Sequence, residues 1–170
     1  GVHEVRVYLA MAYVHGVDLQ QWLAAAPRGW KEVAATFLQA GAGLLAAHRV
    51  GLVHRDFKPA NVLVGHDGRV RVADFGLATA RGGPVDDTPV PEDMDLRRSP
   101  GAASRRLAAT ISAPGALVGT PAYMAPEMFD GEPATAATDQ FAFCVALFEA
   151  LYGRLPFAGD SLAALVYQVL

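Results

Sequence analysis

The residues best suited to chemistry lie together in the stretch GLVHRDFKPANVLVG, residues 51–65. Asp56, Lys58 and Asn61 fall there in one loop, between two short apolar runs. A carboxylate can orient an attacking hydroxyl, a cation can neutralise a transferring phosphoryl group, and oxygen ligands can hold Mg²⁺. Because such a charged cluster is costly to bury without a use, this set of residue types predicts phosphoryl transfer.

A further carboxylate follows a hairpin that begins directly after this loop. Two short β-type runs flank Asp67-Gly68, which is the strongest short-range hairpin signal. Asp74, in the sequence DFG, comes after the second run. Since a hairpin of this length returns its end beside its start, we expect Asp74 and Asn61 to face one metal–phosphate group. DFG by itself is a weak signal, but HRDFKPAN, DFG and GTPAYMAPE follow one another in this order.

Elements before and after this region must position it. Residues 5–16 predict a strand that runs into a turn at Gly16, and Asp18 predicts the N-cap of a short helix. An apolar face predicts a longer helix from about Trp30 to Arg49. Nearer the end, Thr138 and Asp139 are expected to open a helix that is apolar almost all round, and Asp160 or Ser161 to open a last one.

Composition limits the class of protein. The chain has 170 residues and a net charge of −3, which predicts one domain and argues against a dedicated nucleic-acid surface. No apolar run reaches the ~18–20 residues of a membrane span, so we expect no membrane segment in this chain. The single Cys144 suits a reducing, cytoplasmic compartment and is expected to be a buried packing thiol. A start at Gly1 rather than Met indicates a piece of a longer protein, which could be membrane-anchored elsewhere.

Residues 82–117 differ in character from the rest of the chain. They hold five Pro, many small residues, and five acids followed by four arginines. This composition predicts a loop or disordered insert.

On these motifs the sequence resembles the eukaryotic-like serine/threonine protein kinases, most closely those of bacteria. The resemblance covers essentially the whole chain apart from residues 82–117, but only the C-terminal part of that fold. It implies an α+β fold with a mostly helical large lobe, a small β-hairpin at the catalytic loop, and a small lobe that is largely absent. Residues 1–170 would then be a partial kinase domain, with 82–117 inserted in the activation segment. It also implies ATP and Mg²⁺ as cofactors, and proteins with Ser or Thr acceptors as substrates.

The resemblance assigns roles to the residues of the catalytic region. Asp56 would accept or orient the substrate hydroxyl proton, and Lys58 would touch the γ-phosphate of ATP. Asn61 and Asp74 would bind Mg²⁺, and Thr120 looks like the residue that bridges Asp56 and Lys58.

It likewise assigns the nucleotide contacts at the start of the chain. Met11 would be the gatekeeper behind adenine, with backbone groups of Ala12 and Val14 on the adenine edge. Asp18 matches the position that holds the ribose hydroxyls, and Leu63 the one that packs under the adenine ring.

Several of these residues also have a structural interpretation. Asp18 is as well explained as a helix N-cap as it is as a ribose ligand, and it could be both. Asp139 alone reads as a helix cap, while the resemblance makes it an anchor for the catalytic-loop backbone. By the same resemblance His54 stacks on Phe75. The resemblance also suggests that Arg55 binds a phosphate on the activation segment, with Thr110 and Ser112 as the expected phosphoacceptors.

Two parts of a working kinase have no counterpart in the sequence. There is no GxGxxG, and neither Lys31 nor Lys58 can be the strand Lys that pairs with a helix Glu. We therefore expect the chain to be an enzyme fragment that is inactive alone. The alternative is a pseudokinase or scaffold lobe that binds partners without catalysis. The presence of Asp56, Lys58, Asn61 and Asp74 together favours the first.

Overall fold

The computed structural model describes residues 12–75 and 121–170, and the backbone of residues 2–3 and 6–7. Helices dominate, beside a two-stranded and a three-stranded antiparallel sheet, which confirms the α+β class. The elements are β1 Val2–His3, β2 Arg6–Val7, β3 Gly16–Asp18, α1 Leu19–Ala25, α2 Trp30–Arg49, β4 Val62–Gly65, β5 Val70–Val72, α3 Pro126–Phe129, α4 Ala136–Tyr152 and α5 Leu162–Val169, with 3₁₀ turns at Pro59–Asn61 and Pro121–Tyr123.

The sheet confirms the predicted hairpin and corrects the strand before it. Strands β4 and β5 pair antiparallel across a turn in which Gly68 has φ +75°. Strand β3 pairs with the other edge of β4, so that the order is β3-β4-β5. The expectation of a turn at Gly16 is wrong, because Gly16 opens β3 opposite Gly65. A Cβ on Gly16 would lie 2.2 Å from the Val64 carbonyl oxygen, so the close approach of the two backbones requires glycine there.

Helix α2 supplies the centre of the core. Its bounds match the prediction, and Val33, Phe37, Ala40 and Leu44 are buried along one face. This face packs against α4, where the Phe143 ring meets Phe37 edge to face at 5.4 Å. The same core includes Phe57 and Val62 of the catalytic region, together with Leu19 of α1.

Capping side chains fix where the helices begin. Asp18 caps α1 by accepting a hydrogen bond from the Gln21 amide at 2.8 Å, as predicted. Ser161 rather than Asp160 caps α5. Helix α4 begins at Ala136, earlier than expected, because Thr135 and Thr138 form a reciprocal capping box.

The surface of α4 corrects one prediction. Cys144 is exposed rather than buried, because α4 turns its Ala142, Val145 and Ala146 side to the core. Among the residues that the structure describes, none of the helices is both long and apolar enough to cross a membrane.

Some sequence predictions lie outside the described residues. These are the gatekeeper Met11, the bridging Thr120, the phosphoacceptors Thr110 and Ser112, and the insert 82–117.

Candidate active site

The loop between α2 and β4 brings three predicted residues together. The Lys58 ammonium lies 2.8 Å from Asp56 Oδ2. Asn61 Nδ2 donates to the Asp56 carbonyl oxygen at 2.7 Å and to Asp56 Oδ2 at 3.2 Å. Pro59–Asn61 forms a 3₁₀ turn, which sets Asn61 back over Asp56. The acid, the cation and the amide are therefore one hydrogen-bonded group, and each is at most partly exposed.

The buried His54 ties this loop to the hairpin. Its Nε2 lies 2.8 Å from the Ala73 carbonyl oxygen, and its Nδ1 lies 3.3 Å from the Asp56 amide. The carbonyl can only accept and the amide can only donate, so the imidazole carries its proton on Nε2. The rings of His54 and Phe75 lie 4.7 Å apart and tilted, which agrees with the expected stacking.

The loop is held from below by Asp139 on α4. This carboxylate is 1% exposed and accepts from the backbone amides of His54 at 2.7 Å and Arg55 at 2.8 Å. It also contacts His48 Nε2 at 2.6 Å. Arg55 has φ +73°, in the left-handed region that is uncommon for a non-glycine residue. The anchoring role expected of Asp139 is therefore confirmed, whereas sequence analysis gave no signal for His48.

The hairpin returns Asp74 to the loop as its length predicts. The Ala73 amide donates to the Asn61 carbonyl oxygen at 2.9 Å, so the end of β5 lies against the start of β4. Asp74 follows at once, exposed, with φ +60°. A non-glycine residue in this region is uncommon and needs support from its surroundings. Here the support comes from Ala73, which the loop holds at both its amide and its carbonyl.

A cavity of about 650 Å³ adjoins these residues. The residues that line it include Ala12, Val14, Leu63 and Asp74, four of the predicted nucleotide contacts. Its volume lies within the range of small-molecule sites. The cavity runs from the segment at Ala12 and Val14 to Asp74, beside the catalytic loop.

Asp18 does not line this cavity. It is paired with Leu63 across β3 and β4, and its carboxylate caps α1. The structural interpretation of Asp18 as an N-cap is therefore confirmed, and the ribose role stays a prediction.

Two contacts that sequence analysis missed lie beyond the loop. The Tyr123 hydroxyl donates to Glu149 Oε2 at 2.5 Å, and burial followed by this carboxylate raises the pKa of Tyr123 well above its usual range. Thr138 donates to Glu127 Oε1 at 2.6 Å, so Glu127 has a partner within α4. Neither pair has a spacing that the sequence could reveal, because the partners are joined only by tertiary packing.

The architecture and this site define a class before any comparison. The acid, the lysine and the asparagine lie in a loop that is anchored to Asp139 of α4 and followed by a hairpin ending in Asp74. This arrangement matches the large lobe described for protein kinases. The sequence profile described as "Protein kinase domain" matches residues 2–169. The chain therefore belongs to the protein kinase family.

Three curated relatives, all from bacteria, illustrate the similarity. The chain is 36% identical over 162 residues to the probable serine/threonine-protein kinase pknA2 of Bifidobacterium longum, covering 95% of this chain and 18% of that protein. It is 35% identical to the serine/threonine-protein kinase PknL of Mycobacterium tuberculosis, covering 95% and 34%. For PrkC of Bacillus subtilis the identity is 32%, covering 95% and 21%. The chain thus spans between about a fifth and a third of the length of these relatives.

Proposed function

We propose that this chain is the catalytic large-lobe part of an ATP-dependent protein serine/threonine kinase. The observation that carries the proposal is the hydrogen-bonded group of Asp56, Lys58 and Asn61, with Asp74 brought to the same place by the hairpin. The names of the relatives support the choice of Ser and Thr hydroxyls as acceptors. A cytoplasmic location is proposed with it, since ATP would be the phosphoryl donor.

In this proposal each loop residue has its own role in phosphoryl transfer. Both Lys58 Nζ and Asn61 Nδ2 contact Asp56 Oδ2. We therefore assign Oδ1 to the substrate hydroxyl, whose proton Asp56 orients or accepts. Lys58 lies directly beside Asp56, so its ammonium can neutralise charge on a phosphoryl group that approaches this carboxylate. Thr120 is proposed to bridge these two residues, as the resemblance implies.

The donor set fits Mg²⁺ bound together with a nucleotide. Asn61 contacts Asp56 through Nδ2, so its Oδ1 is the ligand atom. Asp74 supplies a carboxylate at the neighbouring strand end. Mg²⁺ in kinase sites takes one or two protein ligands and completes its shell with phosphates and waters, so two ligands suffice. When bound, the ion neutralises the developing charge on the phosphates.

The nucleotide base is proposed to occupy the 650 Å³ cavity. Ala12 and Val14 would offer backbone groups to the adenine edge, with Met11 behind the ring. Leu63 would pack under the ring, and Asp18 would hold the ribose while it also caps α1.

We further propose that residues 1–170 alone do not transfer phosphate. The chain contains no GxGxxG to cover the phosphates and no strand Lys, which the family uses to hold the α- and β-phosphates. An ATP γ-phosphate held only from the large-lobe side is neither clamped nor shielded from water.

The second candidate is a scaffold or pseudokinase lobe that binds protein partners without catalysis. The intact group around Asp56 favours the enzyme over this candidate. The sequence of the segment upstream of residues 1–170 distinguishes the two candidate functions. A strand Lys and a Gly-rich loop in that segment would support catalysis.

The decisive experiment compares Asp56→Asn with wild type in a kinase domain that contains residues 1–170. We expect the variant to fold and to bind ATP, but to transfer phosphate to a protein substrate about 10²–10⁴-fold more slowly, the typical cost of losing a positioned base. Asp130→Asn is the matched control, because Asp130 is exposed and follows α3. Transfer by Asp56→Asn at the wild-type rate would refute the assignment. A wild type that binds ATP but transfers nothing would favour the scaffold.

A further inference from the structure

Strand β5 lies at the edge of the three-stranded sheet, so one of its sides has no strand partner in the described residues. The Gly65 amide donates to the Arg69 carbonyl oxygen, and the Ala73 amide donates to the Asn61 carbonyl oxygen. In an antiparallel pair only alternate residues of a strand bond to the partner. Positions 69, 71 and 73 therefore face β4, and the amide of Val70 points outward.

The outward amide of Val70 is bound by a side chain of α2. Gln39 Oε1 accepts from the Val70 amide at 3.1 Å, and Gln39 Nε2 approaches the Gly68 carbonyl oxygen at 3.5 Å. The side-chain oxygen of Gln39 therefore accepts from the amide of Val70 in the strand, and the side-chain nitrogen faces the carbonyl oxygen of Gly68 in the turn. One turn further along α2, Gly43 lets the strand come close, since a Cβ there would lie 3.2 Å from Val72 Cγ2.

We propose that Gln39 is a positioning residue for the metal-binding end of the hairpin. Val70 is four residues before Asp74, and the intervening segment is held at Val72 by packing on α2 and at Ala73 by the catalytic loop. With β5 fixed at Val70 as well, Asp74 has little freedom to move away from Asn61. The inference rests on the proposed function, because it concerns the proposed Mg²⁺ ligands Asn61 and Asp74.

Because Gln39 is exposed, its positioning role can be distinguished from a contribution to the global stability of the fold. A hydrogen bond at an exposed position adds little to global stability, since water replaces it when it breaks. The local effect is different, because β5 has no further strand on that side in the described sheet. Loss of the contact should therefore loosen β5 and the metal site while the unfolding temperature changes little.

The experiment uses a complete kinase domain containing residues 1–170, with Gln39→Leu, Gln39→Glu and the control Gln140→Leu, which alters an exposed glutamine of α4. Two signals are measured by NMR. The first is hydrogen exchange of the Val70 amide. The second is the Mn²⁺ concentration at which the amide signals of Asn61 and Asp74 broaden, with Mn²⁺ serving as a paramagnetic probe in the presence of ATP. Neither signal requires phosphoryl transfer.

Gln39→Leu should speed exchange at Val70 by roughly three- to tenfold, the effect of losing one hydrogen bond, and weaken Mn²⁺ binding by a similar factor. Gln39→Glu keeps the acceptor for Val70 and should restore both signals toward wild type. Gln140→Leu should change neither.

Three other outcomes are possible, and each would contradict a different part of the proposal. If Gln39→Leu speeds exchange at Val70 but binds Mn²⁺ as wild type does, Gln39 is only structural. If neither signal changes, the contact does not hold β5. If Mn²⁺ broadens neither Asn61 nor Asp74 in the wild type, the metal site of the proposed function is wrong, and the positioning role falls with it.

Discussion

Replacing Asp139 by Ala is the most informative test of how the catalytic loop is held. The carboxylate is 1% exposed and satisfies three donors: the amides of His54 and Arg55 and the imidazole of His48. Alanine leaves all three without this acceptor, in a place that water does not readily reach. The two amides belong to the residues directly before Asp56, so the damage reaches the proposed base as well as the fold.

The magnitude follows from these contacts. A hydrogen bond to a charged acceptor contributes about 1.5–3 kcal/mol, but the three share one carboxylate and do not add. Breaking a buried charged contact costs about 3–5 kcal/mol, which is a large part of the ~5–15 kcal/mol that stabilises a typical protein. At about 2–4 °C per kcal/mol for a protein of this size, the midpoint of thermal unfolding should fall by roughly 6–20 °C.

The assay is thermal unfolding of residues 1–170 followed by circular dichroism, with transfer activity measured below the lowered midpoint in a kinase domain that contains these residues. Asp130→Ala is the control, since Asp130 is exposed, and it should unfold close to wild type. His48→Ala removes one of the three donors and should cost less, about 1–2 kcal/mol. An Asp139→Ala variant that unfolds within ~2 °C of wild type would refute the view that this carboxylate anchors the loop.

Three further predictions concern single side chains. Burial and Glu149 raise the pKa of Tyr123, so its stabilising contact is fully present below the usual tyrosine pKa and is lost as pH rises above that value. In a spectrophotometric titration Tyr123 should ionise after the other tyrosines. Ionisation together with the other tyrosines would contradict the contact. The Arg71 guanidinium, followed by the Arg69 amide, holds the pKa of Asp67 well below its usual range, so the contribution of the turn is full at neutral pH and is lost as pH falls from the ordinary Asp pKa through the lowered pKa. NMR titration of the Asp67 carboxyl should give a midpoint below the ordinary ~3.9. Cys144 is exposed, so a thiol reagent should modify one Cys per folded chain without unfolding it, and protection until denaturation would count against that placement.

The sequence by itself determined the family and the local elements. Its motifs have fixed residue types at fixed spacings, and the loop, the hairpin turn at Asp67-Gly68 and the bounds of α2 depend on neighbours within one element. Local rules therefore sufficed for Asp56, Lys58 and Asn61, which the structure joins in one hydrogen-bonded group. The capping role of Asp18 followed from the same kind of rule.

Local rules misjudged features that depend on a distant partner. Gly16 resembled a turn residue, but the approach of Gly65 makes it part of a strand. Cys144 lies in an apolar helix, yet exposure depends on which side of α4 the rest of the chain covers.

Tertiary structure alone decided how the site is supported. His48 and Asp139 are 91 residues apart, Gln39 and Val70 are 31 apart, and no spacing rule connects them. A hydrogen bond needs two atoms within about 3 Å of each other, and for such pairs only the packing of α2 against α4 and the hairpin provides that. The reactive groups could therefore be predicted from the sequence, because they are neighbours along the chain. The family resemblance supplied Asp139 as an anchor, whereas His48 and Gln39 became visible only in the fold.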